Sequence, residues 1–371
     1  MIQARPSGRG WSRRAFLAYC SLLRLPAASE KGRVFPSETR RYLDPTTEFV
    51  VFRFTDPAHA SFLPEPSGRC VSGRGNFLLY ASDRTGLPQA YRMDLKSGQS
   101  WLVTEASALE PASLVLLPDE RQIAYFDGRL LVRVNLRNYK ARRLYEIPTG
   151  FQRGDGPAIS TDGRRAVFVE VAGNRSRLRL TELRSGRTET VLEWDGIVRR
   201  PLPRPRSDSI LFRAPDETLW LVDSRGRNRR QLPLAAGRIG PALFSRDGDT
   251  LLYLNYPADP KQLHTLREYA LDSGQDTLIA KTTQFVTFAA NRNASVFIGA
   301  SGAKASPYIL LLLRVTGREL TLCEHKASQP ERISLTFSPD SRWVFFESDR
   351  DGKPAIYGLQ LSEFVENTDG C

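Results

Sequence analysis

The residue types that carry most acid–base and metal chemistry are scarce in this chain, which has three histidines (His59, His264, His325) and four cysteines (Cys20, Cys70, Cys323, Cys371). The cysteines show neither metal-ligand spacing nor a disulfide framework and read as ordinary thiols. Three separate imidazoles cannot supply both a multi-histidine metal cluster and an independent histidine base. His325 follows an apolar outer-strand segment and reads as structural. His264 lies in the polar stretch 257–266, read as a surface loop. His59 sits in an extended segment ahead of the first repeat and is the histidine retained as a candidate ligand contact, against the usual non-functional fate of a lone histidine. No glycine-rich phosphate loop, Gly-x-Ser-x-Gly elbow or His-Glu-x-x-His helix is present, so nucleotide, esterase and metalloprotease readings lack support.

Cations are abundant: 53 Lys and Arg face 41 Asp and Glu, a formal net charge of +12. Such a surplus favours anionic partners. The positive residues are scattered, with local groups at Arg199-Arg200, Arg204-Pro205-Arg206 and Arg227-Asn228-Arg229-Arg230. From these, Arg200 and Arg204 are candidate contacts for an anionic ligand; the alternative is a solvated face. Zinc spacing, an aromatic ribonucleoprotein signature and a basic helix are all missing, so nucleic acid is not an expected partner. The most apolar run, Tyr308 to Leu313, is far too short to span a bilayer as a helix and reads as a buried strand. Near the start, Ser12-Arg13-Arg14-Ala15-Phe16-Leu17 resembles a twin-arginine export signal, although the apolar run behind it is broken by Arg24. Residues 1–30 are therefore expected to be a leader outside the fold, and the protein to be periplasmic or exported, the alternative being cytoplasmic.

These side chains must be positioned by a repeat. Seven times, at intervals of about 39 to 47 residues, an Asp- or Asn-centred turn is followed at once by an apolar strand, a period that means copied strand units. The sharpest copy runs from Ser338-Pro339-Asp340 through Trp343-Val344-Phe345-Phe346. The others start near Gly75, Pro118, Thr161, Arg206, Arg246 and Asn291. Asp and Asn suit the turn because their side chains bond the backbone two residues on. A third strand ends in Tyr-x-x-Asp-Leu-x-Ser-Gly at Tyr91 to Gly98, with related endings at residues 180–186, 221–226 and 269–274. No long helical apolar period appears. The expected fold is all-β: one seven-bladed β-propeller over residues 31–371, with four-stranded antiparallel blades. The ring is closed by N- and C-terminal strands, residues 49–54 completing the blade formed by residues 338–361.

Several segments resemble the oligogalacturonate lyases, propeller enzymes of pectin breakdown. They are Lys31-Gly32-Arg33-Val34-Phe35-Pro36-Ser37-Glu38, Tyr42-Leu43-Asp44-Pro45-Thr46-Thr47, Ala81-Ser82-Asp83-Arg84-Thr85-Gly86, Leu322-Cys323-Glu324-His325 and Ser348-Asp349-Arg350-Asp351-Gly352-Lys353-Pro354. The resemblance implies β-elimination at an acidic sugar, in which a divalent metal stabilises the charge on the uronate and a histidine removes the C5 proton. It places the family's His-x-His pair on Arg332 and Ser334, a further metal histidine near Thr287, the base near Pro241 and the substrate arginine near Thr218. Gln329 is a remnant metal position, and His59 falls near a histidine that faces substrate in relatives. One carboxamide does not make a transition-metal site. No cofactor is therefore expected, manganese being admitted only if unrecognised residues rebuild the site, and no residue is assigned as catalytic. Arg332 brings a permanent charge and a planar fork suited to a carboxylate; its alternative role is a surface arginine paired with Glu331. The expected function is binding of, or action on, acidic oligosaccharides at a basic channel face. The second reading is an envelope scaffold that binds a protein partner.

Overall fold

The computed structural model describes residues 29–361 apart from 66, 67, 260 and 283. The export-like motif, Cys20 and Cys371 lie outside the described residues. Strands dominate, and the only helical elements among the described residues are two 3-10 turns, Pro111–Ser113 and Pro330–Arg332. No helix of the described residues is long and apolar enough to cross a membrane.

Each Asp turn works locally as the sequence suggests. Ser160 Oγ donates to Asp162 Oδ1 at 2.6 Å, and the same oxygen accepts the Arg164 N–H at 2.9 Å. Ser245, Asp247 and Asp249 repeat this at 2.6 and 3.0 Å. The side-chain oxygens thus satisfy turn N–H groups and aim the chain into the next strand. The Ser-Gly endings reverse at glycines with positive φ, among them Gly98 (+71°) and Gly274 (+73°), a region closed to most side chains.

Seven antiparallel sheets follow in chain order, forming a seven-bladed ring. Blade two (Val115–Leu116, Gln122–Asp127, Leu130–Asn135, Ala141–Glu146) and blades four, five and six have four strands. Three blades are larger than expected. Val34–Phe35 adds an outer strand to blade one, Gln152–Arg153 pairs with the second strand of blade three, and Arg40–Leu43 extends the closing blade. These short segments cover edges that would otherwise present unpaired N–H and C=O groups. Blades pack through apolar faces: Phe126 of blade two meets Phe168 of blade three at 5.2 Å, and Trp194 of blade three meets Phe212 of blade four at 5.3 Å.

Closure joins the chain's two ends. Val50–Arg53 pairs antiparallel with Ala355–Gln360, matching Phe52 with Gly358 and Arg53 with Tyr357. Phe52, Phe54, Trp343 and Phe345 form an aromatic cluster across this seam. The family-like segments converge here. Buried Asp44 accepts the N–H of Thr46 and Thr47 through one oxygen and that of Glu324 through the other, while Thr47 Oγ1 donates to Leu322 O at 2.8 Å. Arg84 lies over the rings of Phe35 and Tyr91 and pairs with Glu38, whose other oxygen accepts the Asp56 N–H. Much of the resemblance is therefore carried by residues that build the ring.

Candidate functional site

Inner strands bring one end of all seven blades to the axis, where they enclose a cavity of about 750 Å³. That volume lies in the range of small-molecule sites. Its wall takes Leu63 from blade one, Glu110 from the approach to blade two, Pro157, Arg200, Pro241 and Thr287 from blades three to six, and residues 327–334 from the approach to the closing blade. The positions where the resemblance puts the family's histidines, Pro241, Thr287, Arg332 and Ser334, are all in this wall, as is Gln329. Thr218 is not. It stands at the turn before the third strand of blade four, where its Oγ1 donates to Asp216 and accepts from the Trp220 indole.

The candidate arginines separate. Arg200 lies in the wall on the inner strand of blade four, at a bulge with φ +49°; its backbone N–H donates to Asp155 Oδ2 at 2.9 Å. Arg332 ends the 3-10 turn Pro330–Arg332 and is exposed. The two guanidiniums come from blades four and seven, and among the described residues neither is in an ion pair. The pairing of Arg332 with Glu331 is not formed. Arg204, by contrast, lies beyond the far end of its inner strand. Its Nε donates to Gly248 O at 2.7 Å and its Nη2 lies 3.5 Å from Asp272, linking blades four and five at the opposite end of the strands. Pro203 and Pro205 flank it outside the cavity, so the basic group at 204–206 belongs to a blade junction.

The histidines are also placed. His59 sits between Val50–Arg53 and Ser61–Phe62, 4.0 Å from Asp83 and outside the cavity wall. His264 opens the strand His264–Ala270 instead of lying in a loop; its Nδ1 is 3.0 Å from Phe285 O and its ring packs edge-on to Tyr256. Tertiary packing against Tyr256 draws it into the sheet, which the polar sequence before it concealed. His325 is wholly buried. Its Nδ1 accepts the Ala327 N–H, its Nε2 then donates to Ser301 O, both at 3.0 Å, and burial holds its pKa below the ordinary histidine value.

Carboxyl groups are the side chains that the sequence reading missed. Glu65, Glu110, Glu331, Glu347 and Asp349 all line the cavity, against Arg200 and Arg332. The expected basic channel face is thus corrected to a mixed one, because the surplus arginines sit on blade surfaces and junctions. Several of these acids are paired or have their pKa raised. Glu110 accepts from Arg153 at 2.6 Å. Glu65 is pushed up by burial and by the negative charge of Asp155 and Glu110, with Arg200 and Arg153 opposing. Burial pushes Glu347 up to about 8. One sequence signal for Glu347 was available: a lone acid ending the apolar run Val344-Phe345-Phe346 where the strand reaches the rim.

Fold and cavity define the class, a seven-bladed β-propeller with a cavity where one end of its inner strands meets the axis. No protein-family model matches the chain. It is 22% identical over 91% of its length to an oligogalacturonide lyase of Pectobacterium atrosepticum, of which all is covered, and 22% identical over 90% to an oligogalacturonate lyase of Dickeya dadantii, of which 99% is covered. Similar solved structures include an oligogalacturonate lyase in complex with manganese (TM-score 0.85, 21% identity, 90% of this chain and 99% of that one). Another is the oligogalacturonate lyase of Vibrio parahaemolyticus (TM-score 0.83, 20% identity, 91% of this chain and 100% of that one). Over nearly its whole length the chain is thus similar to oligogalacturonate lyases, and it shares the fold of their solved structures.

The donor set at the positions the resemblance points to does not fit manganese. Arg332 and Ser334, Thr287 and Pro241 offer a cation, two hydroxyls and a proline ring, and Gln329 one carboxamide, where a divalent ion needs several converging carboxylate or imidazole donors. No group of three or more His, Cys, Asp or Glu able to hold a metal occurs among the described residues.

Proposed function

We propose that the axial cavity binds an acidic oligosaccharide built of uronate units, with Arg200 and Arg332 as carboxylate anchors, and that this chain does not carry out metal-assisted β-elimination. The observation that carries the reading is the pair of guanidiniums brought to one cavity wall from blades four and seven, neither of them in an ion pair among the described residues. A guanidinium matches a carboxylate through two parallel N–H donors, and the cavity's volume accommodates a short saccharide. Similarity to the lyases supplies the class of ligand. The non-eliminating part of the reading rests on the donor types, since neither arginine nor the proline and hydroxyl side chains at the positions the resemblance points to can take the roles of metal ligand and imidazole base.

Calorimetric titration with digalacturonate tests it, with neutral galactobiose as control. Binding is expected for the acidic sugar alone. Arg332→Ala and Arg200→Ala should each weaken it by about 10- to 150-fold, the worth of one hydrogen-bonded charge of roughly 1.5–3 kcal/mol. No heat with digalacturonate, or equal affinity for galactobiose, refutes the binding assignment. A growing unsaturated-uronide absorbance with added manganese refutes the non-eliminating part.

A further inference from the structure

Glu347 is an acid in the cavity wall without a counter-charge. It is the penultimate residue of the strand Trp343–Ser348, its backbone N–H donates to Ser334 O at 3.3 Å, and its Oε1 accepts the N–H of Leu63 from blade one. Oε2 has no partner among the described residues, yet it is not one of the sealed, unsatisfied atoms, so it is reached from the cavity. The charged groups around the same wall are Glu65 on blade one, Glu110 before blade two, Arg200 on blade four, Glu331 and Arg332 on the 3-10 turn, and Asp349 two residues on. None is in an ion pair with Glu347, and Asp349 is held by Ser328. The buried Cys70 thiol, hydrogen-bonded to the Thr336 side chain, is near enough to feel the charge of Glu347. A carboxylate in such a place is costly to ionise, and a neutral carboxylic acid is a strong hydrogen-bond donor.

We propose that Glu347 is a ligand-binding residue that carries a proton and donates it in a hydrogen bond to a carboxylate of the bound acidic saccharide. This rests on the uronate-binding reading above and adds a second kind of anchor: a guanidinium attracts the anion at any pH, whereas the acid recognises it only while protonated. The burial that raises Glu347 to about 8 keeps it largely protonated at neutral pH. The arrangement also accounts for a cavity with more acids than arginines that still takes an anion.

The test is digalacturonate affinity between pH 7 and 9.5, a range in which uronate carboxylates and arginines do not titrate. If only the protonated form binds, affinity should fall about 30-fold across this range, because apparent affinity scales with the competent fraction. Glu347→Gln keeps an N–H donor and should bind with a flat profile. Glu65→Gln, removing the other raised acid, should leave the pH dependence in place. At pH 8, titrations in two buffers of different ionisation enthalpy should show that the native protein takes up about half a proton on binding. A flat native profile, absence of proton uptake, a pH dependence that survives in Glu347→Gln, or one abolished by Glu65→Gln overturns the inference. Binding that is absent at every pH would instead refute the underlying uronate assignment.

Discussion

Replacing Phe54 by alanine tests whether the ring is held shut by the aromatic seam. The ring of Phe54 is 4% exposed and lies 5.5 Å from Phe345, 5.7 Å from Trp343 and 6.1 Å from Phe52. Gly358 on the facing strand leaves it room, since a Cβ there would come within 3.0 Å of Phe54 Cε2. Truncating a buried phenylalanine costs about 3–5 kcal/mol, and three aromatic neighbours place this one at the upper end. Against a typical total of roughly 5–15 kcal/mol, that is a third or more of the stability. Urea denaturation followed by tryptophan fluorescence gives the size, because Trp343 reports on the seam. Phe168→Ala, at 0% exposure in blade three, serves as a control for core truncation away from closure. Limited proteolysis distinguishes the two: Phe54→Ala should open early cleavage near residues 50–60, and Phe168→Ala should not. A loss below about 1 kcal/mol for Phe54→Ala, or identical cleavage patterns, would refute closure by this cluster.

Two further outcomes are expected. Burial lowers the folded-state pKa of His325, so the unfolded chain binds its proton first; stability should fall as pH drops through about 6.5 toward that lower value. His325→Gln should flatten this part of the urea-midpoint profile between pH 7.5 and 5, and an unchanged slope would show that another group is responsible. Arg204→Ala should remove the link between blades four and five and cost on the order of 1 kcal/mol, with digalacturonate binding unaltered. A weakened calorimetric affinity would return Arg204 to the binding surface.

The fold was legible because each blade repeats the same local chemistry. The turns at Asp162, Asp247 and Asp340 announce themselves by residues that bond their own backbone, and the alternation behind them marks the strands. Edge additions were less visible: Val34–Phe35 is only two residues long and gains its structure from pairing with Ser100 and Trp101, far away in sequence. The cavity wall was legible in position and less so in charge. Pro241, Thr287, Arg332 and Ser334 do face the axis, because the repeat fixes where each inner strand begins. Arg204 did not fit, since four residues along a strand exchange one end of the channel for the other. Glu347 escaped notice because its character depends on Leu63 and on burial from a second blade, neither of which a linear reading weighs.

The seam also constrains biosynthesis. Thr55 accepts, through its hydroxyl, the N–H of Ile356, a residue 301 positions later. At about 5–20 residues per second, the early strand waits roughly 15–60 s for its partner to be made. Throughout that time Val50–Arg53 is an unpaired β-edge on a nascent chain, open to pairing with a neighbouring ribosome's product. The finished ring hides its edge, but its assembly exposes one for almost the whole of translation. Yield in the cell should then depend on elongation speed and on chaperones that occupy this strand, more than on the stability of any single blade.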